Sequence, residues 1–397
     1  MRILQVNKFL YPKGGSETYM FGLSDSLKEL GYEIEYWGMK DDRNIINDTY
    51  NSFVENVEFN SLKGGEQIKQ TLNTIYSFES KKKIKVVLDN FKPDIVHIHN
   101  FNFQLTPSIL PEIKKRGIKI VYTAHDSQFA CPYHRLYNFE RDETCIKCIE
   151  GKFYNCIKDK CFNGSFFKSV VGSMESYFYH GLDYYNKYID VVISPSRFLA
   201  DILKKMYKKD IIVNHNFIKL DKSERVGKED FILYFGRISR EKGIIDILPF
   251  FEENRIKLII IGSGPEESKI ISSKYVNFIG PKFGDELFKY IRKAKYVIQP
   301  SKWFENCPMT IIESFACGTP VIGAKHSGFI ELINDGINGF LIDFNTNDWQ
   351  NDMLRCIHNY EDTLSENAEK SYENKYTKEV HIPKVINVYN NLINESI

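Results

Sequence analysis

Short apolar runs recur at residues 2–6, 33–37, 95–98, 119–123 and 191–194. Several are β-branched and apolar without interruption, the pattern of strands buried on both faces. Stretches with helical spacing lie between them, for example 18–30 and 81–91. Strand and helix in alternation predict a parallel α/β sheet. The pattern then restarts. Residues 231–235, 257–261, 276–279, 296–300, 320–323 and 339–342 predict a second set of strands, with helices at 285–294 and 310–317. The polar segment 218–230 reads as a linker. The expectation is two doubly wound, Rossmann-like α/β domains: residues 1–217 plus 377–397, and residues 218–376. Ligands of such sheets bind beyond the carboxyl ends of the strands, which predicts a central cleft faced by both domains. Residues 131–185 break the rhythm with five cysteines, many aromatics and no clear strand, and read as an insertion in the first domain. An amphipathic stretch at 380–392 predicts a last helix.

Composition narrows the partners. The 397 residues suit two domains, and 43% hydrophobic with 26% charged residues is a globular balance. With 53 basic against 52 acidic residues, the net charge of +1 supplies no field to gather nucleic acid, so no nucleic-acid partner is expected. The first residues form a strand pattern rather than the charged and apolar regions of a signal peptide, and no apolar stretch reaches spanning length. The expectation is a cytoplasmic chain whose eight cysteines stay reduced.

The strongest chemical signal is Trp303-Phe-Glu305-Asn306-Cys-Pro308-Met309-Thr310-Ile-Ile-Glu313, followed by Ser-Phe-Ala-Cys-Gly318-Thr-Pro320. Pro308 suits the first turn of a helix, where its missing N–H costs nothing. The amides of Met309 and Thr310 then lie free at the positive helix end, which favours phosphate or polar sugar groups. Glu305 precedes the helix and Glu313 sits in its second turn, so both can face one ligand. The plainer alternative is a solvated helix with two ordinary glutamates. A second signal is Tyr234-Phe-Gly236-Arg237-Ile-Ser-Arg-Glu-Lys242-Gly243. A glycine closing a strand lets backbone approach a ligand, while Arg237 and Lys242 offer a fork and a point charge for a diphosphate.

These two motifs together resemble the signature of retaining GT-B glycosyltransferases of family four, also called group 1. The resemblance runs through both halves and is densest between residues 234 and 342. It implies a GT-B fold, with the last helix packed back on the first domain. It also implies transfer of a sugar from a nucleotide-diphosphate donor, UDP-sugar favoured, to a glycan or lipid-linked acceptor, with retention, in surface polysaccharide synthesis. Carried over, Glu305 contacts the donor sugar, Glu313 the ribose, and Arg237 with Lys242 neutralises the leaving diphosphate. Many members carry Gly-Phe-Gly after the first glutamate, where this chain has Asn306-Cys307-Pro308.

Other positions follow from strand ends and the resemblance. Gly262-Ser-Gly264-Pro265 resembles the family's turn after the second strand of the nucleotide domain, and the loop ending at Phe283 its base-lining segment. Lys13-Gly14-Gly15-Ser16-Glu17 follows the first strand, with Gly15 expected near donor phosphate and Ser16 on the acceptor side. His125 matches the histidine beside the anomeric carbon. His99 and Arg197 are expected on the acceptor side, His97 and Asp94 as structural. The sequence has no Asp-x-Asp pair for a divalent ion, so no cofactor is expected for catalysis.

The cysteines admit three readings. Cys145, Cys148, Cys156 and Cys161 have spacing compatible with one structural zinc, and the alternatives are packed free thiols or a disulfide. The aromatics of the same segment are read first as packing, with peripheral contact to a membrane or lipid-linked sugar, at the inner membrane face, as the alternative. Two rival functions share the fold: a non-catalytic nucleotide-sugar-binding subunit and a GT-B epimerase.

Overall fold

A computed structural model describes residues 1–56, 71–220 and 226–394. Among these residues the main architecture is two parallel six-stranded sheets. The first runs, in spatial order, Glu33–Trp37, Arg2–Asn7, Ile95–Asn100, Lys119–Thr123, Val191–Ser194 and Ile211–Val213. The second runs Val276–Phe278, Leu258–Ile261, Glu229–Phe235, Ala294–Gln299, Val321–Ala324 and Gly339–Ile342. Strands 95–100, 119–123 and 191–194 are almost wholly buried, as parallel strands covered by helices on both faces must be.

Neighbouring side chains along the second sheet serve opposite layers. Leu233, Val297 and Val321 pack with Ile311, Ile312 and Phe315 of the helix Met309–Ala316. Ile232, Ile298 and Ile322 pack with Phe250, Phe251, Met353 and Ile357 on the other face. This alternation is the strand period of two carried into two helical layers.

Close contacts divide the chain into two units. One comprises Met1–Arg141, Cys145–Asn214 and Ile382–Ile397; the other comprises Asp142–Thr144 and His215–His381. The first join thus falls after Asn214 rather than at residue 217, and the chain returns at Ile382 rather than at 377. Of the expected linker 218–230, residues 221–225 lie outside the described residues, and 229–230 already belong to a strand. The helix Lys378–Asn394 carries Pro383 in its interior, close to that return point. Its Tyr389 hydroxyl meets His97 Nδ1 at 2.6 Å, fastening the last helix to the first sheet. Among the described residues no helix is long and apolar enough to cross a membrane.

In both sheets the strand order reverses next to the first strand of the unit. In the C-terminal unit this point lies between Glu229–Phe235 and Ala294–Gln299, and in the N-terminal unit between Arg2–Asn7 and Ile95–Asn100. Crevices at such reversals are where doubly wound sheets receive ligands.

Candidate functional site

In the C-terminal unit the ends of neighbouring strands interlock through glycines. Gly236 has φ 139° and Gly262 φ 145°, a region that strains other residues. A Cβ on Gly262 would stand 1.9 Å from the Gly236 carbonyl oxygen, and one on Gly264 2.1 Å from that of Ile238. The Gly262 N–H donates to Gly280 O at 3.1 Å, so three successive strand-end turns nest backbone on backbone. A Cβ at Gly236 would lie 4.0 Å from Thr310 Cγ2, which brings the start of the helix Met309–Ala316 to the same place. The Tyr234 hydroxyl donates to Arg237 O at 2.6 Å and fixes the turn, while the Arg237 side chain is exposed and has no ion-pair partner among the described residues.

Beside these turns sits a charged knot. Lys242 ends the turn Arg240–Lys242, and Gly243 closes it with φ 72°. A Cβ on Gly243 would be 2.3 Å from Pro300 O, so this turn and the end of Ala294–Gln299 pack without space for a side chain. Lys242 Nζ reaches Glu305 Oε1 at 2.5 Å. The same oxygen accepts from Trp303 Nε1 at 2.7 Å and Ser301 Oγ at 2.8 Å. The Glu305 N–H donates to Ser327 Oγ at 3.1 Å, and its carbonyl accepts from Gly328 N at 2.9 Å. A Cβ on Gly328 would stand 1.7 Å from Asn306 O, so glycine is required there. His326 meets Ser301 O at 2.9 Å and Ser327 Oγ at 3.1 Å, completing the frame. Burial alone would push the Glu305 carboxyl up, but the Lys242 charge and the hydrogen bonds outweigh it and hold the group below the usual carboxylate range.

Glu313 contrasts with Glu305. It lies half-buried on the helix, and its carboxylate has no hydrogen-bond or ion-pair partner among the described residues. Burial pushes its carboxyl up to about 7. Pro308 caps the helix, and the N–H groups of Met309 and Thr310 have no hydrogen-bond partner among the described residues. Cys307 is anchored by Asn216, whose Nδ2 donates to its carbonyl at 3.0 Å. Phe283 precedes the helix Gly284–Lys293 with 79% of its surface exposed, a free ring face for stacking.

The N-terminal unit gathers imidazoles. His97, His99 and His125 form a stack, with centroids 4.4 Å and 5.3 Å apart. His97 also meets Thr123 Oγ1 at 2.7 Å. His99, expected on the acceptor side, is fully buried: Nε2 meets Gln5 Oε1 at 2.8 Å and Nδ1 meets His125 Nε2 at 3.1 Å. Both ring nitrogens of His99 are thus engaged by neighbouring side chains. The Tyr19 ring lies edge-on to that of His125, with centroids 5.2 Å apart. Burial pushes His125 down to about 3 and His99 well below its usual value, so both are neutral at physiological pH. Beside the stack, Asn102 Nδ2 donates to Asp126 Oδ2 at 3.2 Å and meets His134 Nδ1 at 2.6 Å, while Lys8 Nζ bonds Asn102 Oδ1.

Gly15 and Ser16 open the helix Gly15–Glu29, where Asn7 Nδ2 donates to Glu17 Oε1 at 3.0 Å. Arg197 is exposed as the first residue of Arg197–Leu203, whose cap is Ser196, accepting from Leu199 N at 3.1 Å. Asp94 ties strand ends together, accepting from Arg2 N at 2.6 Å.

Cys148, Cys156 and Cys161 share a small buried cluster with Phe153, and Cys145 lies half-buried nearby in sequence. All four are free cysteines, and among the described residues no three His, Cys, Asp or Glu side chains form a metal-binding group. Cys148, Cys156 and Cys161 pack in an apolar pocket, and burial raises Cys145 and Cys148 above the usual thiol range.

Two doubly wound parallel sheets, one ending in glycine turns, a cation–carboxylate knot and an open helix end, define the GT-B class of α/β enzymes. Residues 13–222 match the family model described as Glycosyltransferase Family 4, and residues 216–376 that of Glycosyl transferases group 1; the chain belongs to this glycosyltransferase family. It is 28% identical over 212 residues to an uncharacterized glycosyltransferase of Methanocaldococcus jannaschii, a match covering 51% of this chain and 60% of that protein. It is 28% identical over 327 residues to the alpha-monoglucosyldiacylglycerol synthase of Acholeplasma laidlawii, covering 77% of each. The crystal structure of Anabaena HepE in complex with UDP has the same fold, with TM-score 0.68, 14% identity, and 98% and 100% of the two chains covered.

Proposed function

We propose that the chain moves a sugar from a nucleotide-diphosphate sugar, UDP-sugar favoured, to a glycan or lipid-linked acceptor with retention at the anomeric carbon, in surface polysaccharide synthesis. The observation that carries the proposal is the Lys242–Glu305 pair at 2.5 Å, set at the strand reversal of the C-terminal unit beside an open helix end.

The donor diphosphate meets the Met309 and Thr310 amides, the Lys242 ammonium and the exposed Arg237 guanidinium. Glu313 accepts from ribose hydroxyls, which give its unpartnered carboxylate the hydrogen bonds it lacks. Glu305, kept ionised, accepts from sugar hydroxyls while holding Lys242 in place. The bond from the anomeric carbon to the phosphate oxygen breaks and its electron pair leaves with the diphosphate. Fixed cations stabilise that developing charge without reorganising. The acceptor oxygen bonds to the oxocarbenium-like carbon from the same face, and its proton passes to the departing phosphate oxygen. Neutral His125, steadied by His99, orients sugar hydroxyls. No step in this proposal requires a cofactor.

Incubation with UDP-, GDP- and ADP-sugars, with and without an acceptor extract, tests it. The expected result is acceptor-dependent nucleotide release from one donor class. No release from any of them would contradict the proposal, and release of epimerised free sugar without acceptor would assign the site to an epimerase.

A further inference from the structure

The helix Phe166–Gly181 is inside out. Its buried side chains are Ser169, Gly172, Ser173, Glu175, Ser176 and Tyr179. Its outward face carries Phe166 at 60% exposure, Phe167 at 62%, Met174 at 53%, Tyr177 at 44% and Phe178 at 38%. A helix of a water-soluble surface has the opposite polarity. The inward face is not a packing accident, because small polar groups are needed there. Ser169 Oγ accepts from Phe162 N at 3.2 Å, Ser173 Oγ donates to Phe153 O at 3.1 Å, and Tyr179 OH donates to Ile75 O at 2.5 Å. The Phe162 ring packs so closely on Gly172 that a Cβ would stand 2.4 Å from it. Phe166, Phe167 and Met174 are left in water with no covering element among the described residues, while Tyr177 packs on Phe153 and Phe178 on Tyr76 and Tyr184.

The rim of this face is cationic. Lys158 and Lys160 are exposed and make no ion pair among the described residues, and Lys158 Nζ stands 4.9 Å from the ring centre of Tyr154, itself 46% exposed, whose N–H donates to the Tyr177 hydroxyl at 3.1 Å. The acids between them do not cancel that charge: Asp159 is bound by Arg141 and Lys147, and Glu175 is buried. Asp183 lies exposed beyond the helix end. A two-fold contact between copies through this face would bring lysines against lysines. Aromatic and Met side chains framed by Tyr and Lys instead suit a headgroup layer of negative charge.

We propose that the outward face of the helix Phe166–Gly181, with its lysine rim, docks the protein on an anionic phospholipid surface. The docking does not depend on the identity of the sugar donor.

Flotation of the full chain with phosphatidylcholine vesicles, with and without phosphatidylglycerol, tests this. The wild type is expected to float with the phosphatidylglycerol vesicles. Phe166→Ser/Phe167→Ser/Met174→Ser, all at exposed positions, should weaken binding about tenfold or more with an unchanged melting temperature. Lys158→Glu/Lys160→Glu should remove the preference for anionic vesicles. Ile271→Ser, at a side chain 83% exposed elsewhere, should change nothing. Absence of wild-type flotation, equal binding by the triple variant, or equal loss with Ile271→Ser would overturn the proposal. So would a wild-type dimer in sedimentation that the triple variant dissolves, because the face would then belong to a second copy.

Discussion

The two sheets reverse their strand order in the same way, yet the two crevices hold opposite chemistry. The C-terminal one holds a lysine, an ionised glutamate with three hydrogen-bond donors on one oxygen, a second glutamate whose carboxylate has no partner among the described residues, and an open helix end. The N-terminal one holds a stack of imidazoles, two of which, His99 and His125, are driven neutral by burial. Fixed charge is what a departing diphosphate requires, whereas neutral rings can orient hydroxyls without attracting phosphate. In the proposed reaction a common scaffold would gain its division of labour from the residues at strand ends, not from its topology.

The comparison breaks first at Lys242. Lys242→Ala should lower transfer about a hundred- to thousandfold, measured as kcat/KM for the donor, because a cation is removed from the leaving group. It also leaves Glu305 buried without its counter-charge, so the melting temperature should fall. Lys242→Ala/Glu305→Gln, which removes both charges, should recover much of that stability while staying inactive. Recovery of activity in the double variant would mean that the pair is only structural.

His125→Ala is next, with a loss of about ten- to a hundredfold expected in kcat and little change in nucleotide affinity. Equal weakening of nucleotide binding would place the imidazole in the phosphate site and erase the contrast. His99→Ala should act through His125 and produce a smaller loss of the same kind.

The smallest effect concerns Glu313 and pH. Its folded pKa of about 7 exceeds the ordinary value of 4.5, so ionisation is disfavoured in the folded protein. Its stabilising contribution is complete below about pH 4.5 and is lost as pH rises towards 7. Glu313→Gln should therefore match the wild type below that window and exceed it above, by on the order of 1 kcal/mol after allowance for solvent screening. Nucleotide affinity should fall in the same variant. Thermal melts across the pH range check the sign; a variant less stable than wild type at pH 8 would contradict it.

Much of this was legible in the sequence, for physical reasons. Parallel strands buried on both faces leave uninterrupted apolar runs, which located most of the sheet. Ile211–Val213 escaped because a short, incompletely buried edge strand writes no such run. Phe166–Gly181 escaped because its polarity is reversed, so its apolar spacing read as scattered aromatics. Glu305 stood out because Pro308 and Gly318 frame the helix after it. Its partners did not: Ser327 is 22 residues away, and only the proximity of strand ends joins them. His99 looked like an acceptor contact because strand-end position predicts crevice residues, whereas stacking between two other histidines buries it.

Calorimetric titration of UDP and its sugar conjugates into wild type and Lys242→Ala tests the central claim most directly. The account predicts saturable binding of a nucleoside diphosphate by the wild type, weakened about tenfold or more in a folded Lys242→Ala. Wild-type affinity in that variant, or no binding of any uridine, guanosine or adenosine diphosphate to the wild type, would contradict it.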